Sequence, residues 1–194
     1  MIGFEYFPSV IYRDERPDLA SSILSVCLNS LSEQNNLNSP LCQSQDLRFH
    51  SSLIDISEYV LGGSVEILNL QGYLTDNYDF YISGLWAQQL NSFGSTNIHV
   101  HRNSQMCGWI FLQVPSDGAY PIYYDSRKNK EIIELDSIQS EDVLVSTNSI
   151  HFKNVVPGTV FFSNSWVNHQ LVCRGSTQQT VVLHFIVSHR DKTI

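Results

Sequence analysis

Charge is scarce in this chain, and basic charge is scarcer. Of 194 residues, 11 are Lys or Arg against 19 Asp or Glu, a formal net charge of -8. That balance repels a phosphate backbone, and the basic residues gather only in the short Arg127-Lys128-Asn129-Lys130 stretch. No nucleic acid is expected as a partner. Cysteine is equally thin: Cys27, Cys42, Cys107 and Cys173 form no Cys-x-x-Cys pair, which argues against a zinc ribbon or a dense disulfide framework. No apolar run approaches the length of a bilayer span. The opening Met1 to Phe7 has neither the basic segment nor the apolar stretch of a secretory leader. A cytoplasmic protein that makes no membrane contact is the expectation, with a homodimer as the candidate assembly.

What is present is material for a core. Hydrophobic residues make up 42% against 15% charged, so the chain is expected to fold, and 194 residues suit a single domain. Phe4 to Tyr12 is aromatic and β-branched, and Pro8 within it points to an edge strand. Pro17-Asp18 opens a helical pattern in which Leu19, Ile23, Val26, Cys27 and Leu31 form one apolar stripe. Residues 32–45, rich in Asn, Gln and Ser, read as a loop. A second helix is expected from about Leu53 to Leu70, weakened or broken at Gly62-Gly63.

From Asp79 the texture changes to short strands divided by turns. Phe80 to Ala87, Gly108 to Val114, Pro121 to Asp125, Ile150 to Lys153, Thr159 to Phe162 and Thr180 to Val187 are the strand candidates. This spacing predicts a sandwich or barrel rather than a parallel α/β sheet. The fold class is α+β, mainly β: residues 1–78 supply a strand and helices that support the sheet, and residues 79–190 a jelly-roll core.

The candidate site begins with His99 and His101. If their segment is a strand, alternation places both imidazoles on one face, which makes half of a metal site. His169 is the candidate third ligand, since a jelly roll brings distant segments together at one mouth. Three ligands on one face leave the opposite face of an octahedral metal open for substrate and oxygen, which suits Fe(II). Zinc held by three histidines and a water is the chemical alternative. Against these stands the plain reading of a His-x-His pair as polar residues at a strand end. His184, inside an apolar run, reads as a hydrogen-bonded core residue that could also face the site. His50, His151 and His189 read as surface residues, Asp125 as an ion-pair partner of Arg127, and Trp166 as a residue packed beside the site.

The ordered segments resemble a known family. His99-Val100-His101-Arg102-Asn103-Ser104 running into Cys107-Gly108 is similar to the first ligand segment of a small group of 2-oxoglutarate/Fe(II)-dependent oxygenases of bacterial and phage type. Phe7 to Tyr12, Trp86, Tyr124-Asp125-Ser126-Arg127, and Pro157-Gly158 through His169 resemble that family's further motifs in the same order. The resemblance implies a double-stranded β-helix with helices packed on one sheet. It also implies an Fe(II) ion held by His99, His101 and His169, 2-oxoglutarate as cosubstrate, and hydroxylase-type oxidation of a small-molecule or peptide substrate.

Two family features are absent. The Arg-x-Ser that receives the far carboxylate of the cosubstrate is matched here by Gln178-Gln179-Thr180, and the family's tyrosines after Ser-Gly by Ile110 and Phe111. Arg174 and Arg127 could supply the charge instead, so Arg174, Gln178, Thr180 and Arg127 are the candidate cosubstrate contacts. This departure keeps two other classes open: a three-histidine cupin-type dioxygenase that needs no 2-oxoglutarate, and a non-catalytic jelly-roll binding or structural protein.

Overall fold

In the computed structural model of the chain, residues 9–34, 38–127, 147–176 and 178–192 are described. Two long strands form its spine. Strand β3 (Tyr78–Leu90) pairs antiparallel with the last strand, β9 (Thr180–Asp191), with a register shift between Ile82 and Gly84. Between β9 and β7 (Thr159–Asn164) lies β4 (Met106–Gln113), buried along nearly all its length. The edges are β1 (Ile11–Glu15), paired with β7, and β2 (Leu41–Gln43), paired with β3. The large sheet therefore runs β1-β7-β4-β9-β3-β2. Facing it is a smaller sheet in the order β6-β5-β8, made of β5 (Tyr120–Tyr124), β6 (Ser149–His151) and β8 (His169–Val172). Two facing antiparallel sheets built from sequence-distant strands are the double-stranded β-helix, packed on one sheet by helices.

Helix α1 (Pro17–Ser32) starts at Pro17, whose missing N–H costs nothing in a first turn. Its buried residues Ala20, Ile23, Cys27 and Leu31 recur at three and four, so one stripe faces the sheet. Helix α2 (Ile54–Leu70) buries Ile56, Val60, Ile67 and Leu68 the same way and runs unbroken through Gly62-Gly63. Contact with the sheet explains the second glycine: a Cβ on Gly63 would lie 3.1 Å from the Phe162 ring, so its absence lets the helix settle on β7. Among the described residues no helix is long and apolar enough to cross a membrane.

Alternation along the strands divides the apolar residues into two cores. Met106, Ile110, Val160, Phe162, Leu183 and Phe185 join the helix stripes in an outer core. Trp109, Phe111, Tyr123, Phe161, Leu171 and Val182 fill the space between the sheets. Neighbouring side chains on one strand thus serve different cores, as a period of two demands.

Two expectations need correction here. The polar stretch 32–45 is not all loop, because Leu41–Gln43 adds strand β2 to the sheet edge, burying Cys42. The His99 segment is not a strand but an extended loop, tied down by isolated bridges Ser95↔Val172 and His99↔His169. Phe4 to Pro8 and most of 127–148 lie outside the described residues; β1, the continuation of the first stretch, is an edge strand.

Candidate metal centre

The loop carrying His99 and His101 is held against β8 and the turn before it by the backbone. The His99 N–H donates to the His169 carbonyl and the His169 N–H to that of His99, each at 3.1 Å. The His101 N–H donates to the Ser165 carbonyl at 3.0 Å. Asn103, with φ of 59°, then turns the chain toward β4. These bonds replace the strand pairing that the sequence suggested and bring three imidazoles together. One ligand nitrogen from each of His99, His101 and His169 lies within 4.8 Å of the others, a group suited to a metal ion among the described residues.

Ring orientation favours coordination. The Nδ1 of His99 lies 2.7 Å from the Asn97 carbonyl and the Nδ1 of His169 lies 2.7 Å from the Val167 carbonyl. A carbonyl only accepts, so in both rings Nδ1 carries the proton and Nε2 keeps a lone pair. The Nε2 atoms of His101 and His169 are 3.3 Å apart. Adjacent ligands about 2.1 Å from an octahedral metal are separated by about 3 Å, so the pair is near its coordinating spacing. His169 is fully buried and His101 partly so. Burial pushes His169 down to about 3 and His101 down to about 4, which keeps both imidazoles neutral and able to bind a metal at neutral pH. The donor set and its tautomers therefore fit a divalent transition metal.

Two rings close the site from within the barrel. Trp109 packs edge-on against His169, with centroids 5.1 Å apart, and Tyr123 lies 6.2 Å from it. The thiol of Cys107 sits 4.0 Å from His169 Nε2 and 3.5 Å from the Ser163 hydroxyl; burial pushes this thiol up to about 11, so it stays protonated. A cavity of about 310 Å³ opens beside the histidines, lined by His99, His101, His184, Trp86, Trp109, Gln88 and their neighbours. A larger surface trough of about 650 Å³ at Asn91, Gln113 and Gln178 includes none of the seven histidines.

His184 is buried, as its apolar run suggested, but its partner is the site itself. Its Nε2 lies 3.1 Å from His101 Nε2. The signal was the shared face of Thr180, Val182 and His184 on β9, which is the barrel-facing one. His50, His151 and His189 are exposed. Trp166, half exposed, lines a separate groove with Tyr73, Tyr78 and His189.

The four residues expected at the cosubstrate are scattered. Arg127 forms a bidentate pair with Asp125, the closest contact being 2.6 Å. The Arg174 guanidinium stacks on the Tyr120 ring at 5.4 Å. Gln178 lines the larger trough. The Thr180 hydroxyl accepts from the Ala119 N–H at 2.8 Å. None of the four lines the cavity beside the histidines.

Comparison with known proteins agrees with this geometry. Residues 84–185 match the model of a family described as "Putative 2OG-Fe(II) oxygenase". No curated protein sequence matches the chain. Solved structures of similar fold include the non-heme alpha ketoglutarate dependent epimerase SnoN from nogalamycin biosynthesis (TM-score 0.65, 10% identity, 92% of this chain and 77% of that one). A prolyl-4-hydroxylase of Pseudomonas putida superposes with TM-score 0.62 and 11% identity over 95% of this chain and 94% of its own. HygX of Streptomyces hygroscopicus, with nickel and 2-oxoglutarate bound, gives 0.60 and 12% over 93% and 83%.

Proposed function

This chain belongs to the 2OG-Fe(II) oxygenase family, and on that premise we propose that His99, His101 and His169 hold its iron. The protein is an Fe(II)- and 2-oxoglutarate-dependent oxygenase. The observation that carries the assignment of the ligands is their convergence, with the Nδ1–H of two of the three rings spent on backbone carbonyls.

When bound, iron and 2-oxoglutarate supply the family's chemistry: oxidative decarboxylation of the cosubstrate to succinate and carbon dioxide, coupled to oxidation of the substrate by dioxygen. The residues of this chain bind, orient and exclude. The Asn97 and Val167 carbonyls fix which nitrogen of His99 and His169 faces the ion. Trp109, Tyr123 and Cys107 seal the barrel side of the centre with groups that hold their protons. The cavity at His99 and His101 gives reactants their approach, and its size suits a small molecule or one side chain of a peptide.

The test is anaerobic titration of the purified protein with Fe(II) and then 2-oxoglutarate, followed by visible absorption. A weak charge-transfer band is expected, with succinate formed once oxygen is admitted. Replacing His169 by alanine should abolish iron retention while His151→Ala, at an exposed histidine, retains it. Full iron retention by the His99→Ala, His101→Ala and His169→Ala variants would overturn the ligand assignment, and absence of both band and succinate the cosubstrate.

A further inference from the structure

The loop that carries His99 and His101 runs along the open side of β8 and gives the small sheet its rim. The Cys173 N–H donates to the Gly94 carbonyl at 2.8 Å and the Thr96 N–H to the Leu171 carbonyl at 3.0 Å, while His99 and His169 exchange both bonds at 3.1 Å. β8 ends the small sheet on that side, so the far edge of the loop faces outward. Peptide planarity fixes what that edge shows, because the C=O and N–H of one trans peptide point in opposite directions. The His99 N–H points to β8, so the Ile98 carbonyl points away from it. The His99 carbonyl also points to β8, so the Val100 N–H points away. The His101 N–H is given to Ser165, in the turn before β8, so the Val100 carbonyl points away as well. Among the described residues none of these three groups has a hydrogen-bond partner. Both residues are exposed, Ile98 at 54% and Val100 at 37%.

Acceptor, donor and acceptor in a row are the complement of an extended polypeptide backbone. One residue of an added antiparallel strand satisfies both groups of Val100, and the N–H two residues further on reaches the Ile98 carbonyl. Antiparallel is the sense of every pairing among the described residues. Side chains alternate, so the residue paired with Val100 faces outward beside it. The residues on either side of that one face inward with His99 and His101, which line the cavity. Docking on this edge therefore delivers a side chain to the ligand histidines. The outward face is apolar at Ile98 and Val100, and the chain then turns cationic at Arg102. That residue is exposed and forms no ion pair or hydrogen bond among the described residues.

We propose that the substrate is an extended peptide that adds to the edge at Ile98 and Val100 as an antiparallel strand, apolar where it lies against Val100 and acidic where it passes Arg102. This rests on the oxygenase reading above and names the class of its substrate: a peptide side chain, presented beside His99 and His101. A single amino acid has too little backbone to bond to both Ile98 and Val100.

The probe is an array of capped peptides about nine residues long, randomised with one position fixed at a time. It is screened anaerobically for binding to the protein loaded with Fe(II) and 2-oxoglutarate. The profile should select an apolar residue at one position and Asp or Glu at another, and Arg102→Glu should exchange that acid for Lys or Arg. With the tightest peptide, hydrogen exchange read by mass spectrometry at single-residue resolution should show the Val100 amide slowed by about 10-fold or more at saturation. N-methylation of the peptide residue paired with Val100 should weaken binding by about 10-fold or more, whereas N-methylation of its neighbour, whose N–H points away from the edge, should not. On admission of oxygen the peptide should gain one oxygen atom, with one succinate formed for each. No peptide bound more tightly than about 1 mM, or a bound peptide that leaves Val100 exchange unchanged, overturns the docking edge. Protection of Val100 without oxidation of the peptide, in a protein that forms the charge-transfer band, overturns the peptide as substrate. Absence of the band fails the oxygenase reading, and the substrate role with it, while exchange at Val100 still decides the docking.

Discussion

Gly108→Ala probes the strand geometry on which the centre rests. Strand β4 is paired on both sides, with Gly108 opposite Phe162 of β7 and Phe185 of β9. A Cβ at this position would stand 1.8 Å from the Phe161 carbonyl oxygen, 2.9 Å from its carbon and 2.6 Å from Cζ of Phe185. The phenyl ring can turn aside. The carbonyl belongs to a strand locked in the same ladder and can withdraw only if β4 and β7 part. Overpacking costs about 1–3 kcal/mol, and each ladder hydrogen bond lost adds about 1 kcal/mol. The expected loss is therefore about 3–5 kcal/mol, a large share of the stability of an ordinary domain. The same substitution at Gly62 is the control. That residue is exposed on α2 with nothing within 4 Å of an added Cβ, so alanine should stabilise by about 0.5–1 kcal/mol through helix propensity and a less flexible unfolded chain. Urea unfolding followed by circular dichroism measures both, compared at constant m-value. A Gly108→Ala protein within about 1 kcal/mol of the parent would refute the close-approach argument, as would equal damage from Gly62→Ala.

Two further outcomes follow from buried groups. Cys27 is wholly buried on α1, and burial pushes its thiol from 9.0 up to about 12. The unfolded thiol loses its proton first, so this contribution is complete below pH 9 and drains away as pH rises toward 12, on the order of 4 kcal/mol in all. Cys27→Ala should flatten the fall of stability between pH 9 and 11 relative to the parent, and an unchanged slope would contradict the assignment. Gln71 and Asn164 exchange amide hydrogen bonds of 3.0 and 2.9 Å, tying the end of α2 to β7. A double-mutant cycle of Gln71→Ala and Asn164→Ala should give a coupling of about 1 kcal/mol, whereas strict additivity would show that the pair contributes nothing jointly.

The helices were legible because their evidence is local. Ile23, Cys27 and Leu31 lie four apart, and that spacing alone turns one face of α1 to the sheet. Gly62-Gly63 was a poorer guide. Propensity counts against two glycines in a helix, yet packing of Gly63 on Phe162 overrode it. The same holds for Leu41–Gln43, whose polar surroundings suggested loop and whose pairing with β3 made it strand. His99 and His101 were found for a partly mistaken reason. Period-two alternation would have put them on one face of a strand, but the chain there is a loop, and a bridge to His169 and a backbone hydrogen bond to Ser165 aim the rings instead.

By itself, then, the sequence determined the helix stripes, the alternating strands, the shortage of basic charge and the three histidines worth testing. Each depends on residue type and on spacing along one segment. Only the tertiary structure decided that β4 and β9 lie side by side, and with that which rings touch: Trp86, Trp109 and His184 come from three separate strands and meet through register alone. Register is chosen by how whole faces of strands bury against one another, with a one-residue slip sending every side chain to the other face. That choice belongs to pairs of segments, and no single stretch of sequence carries it.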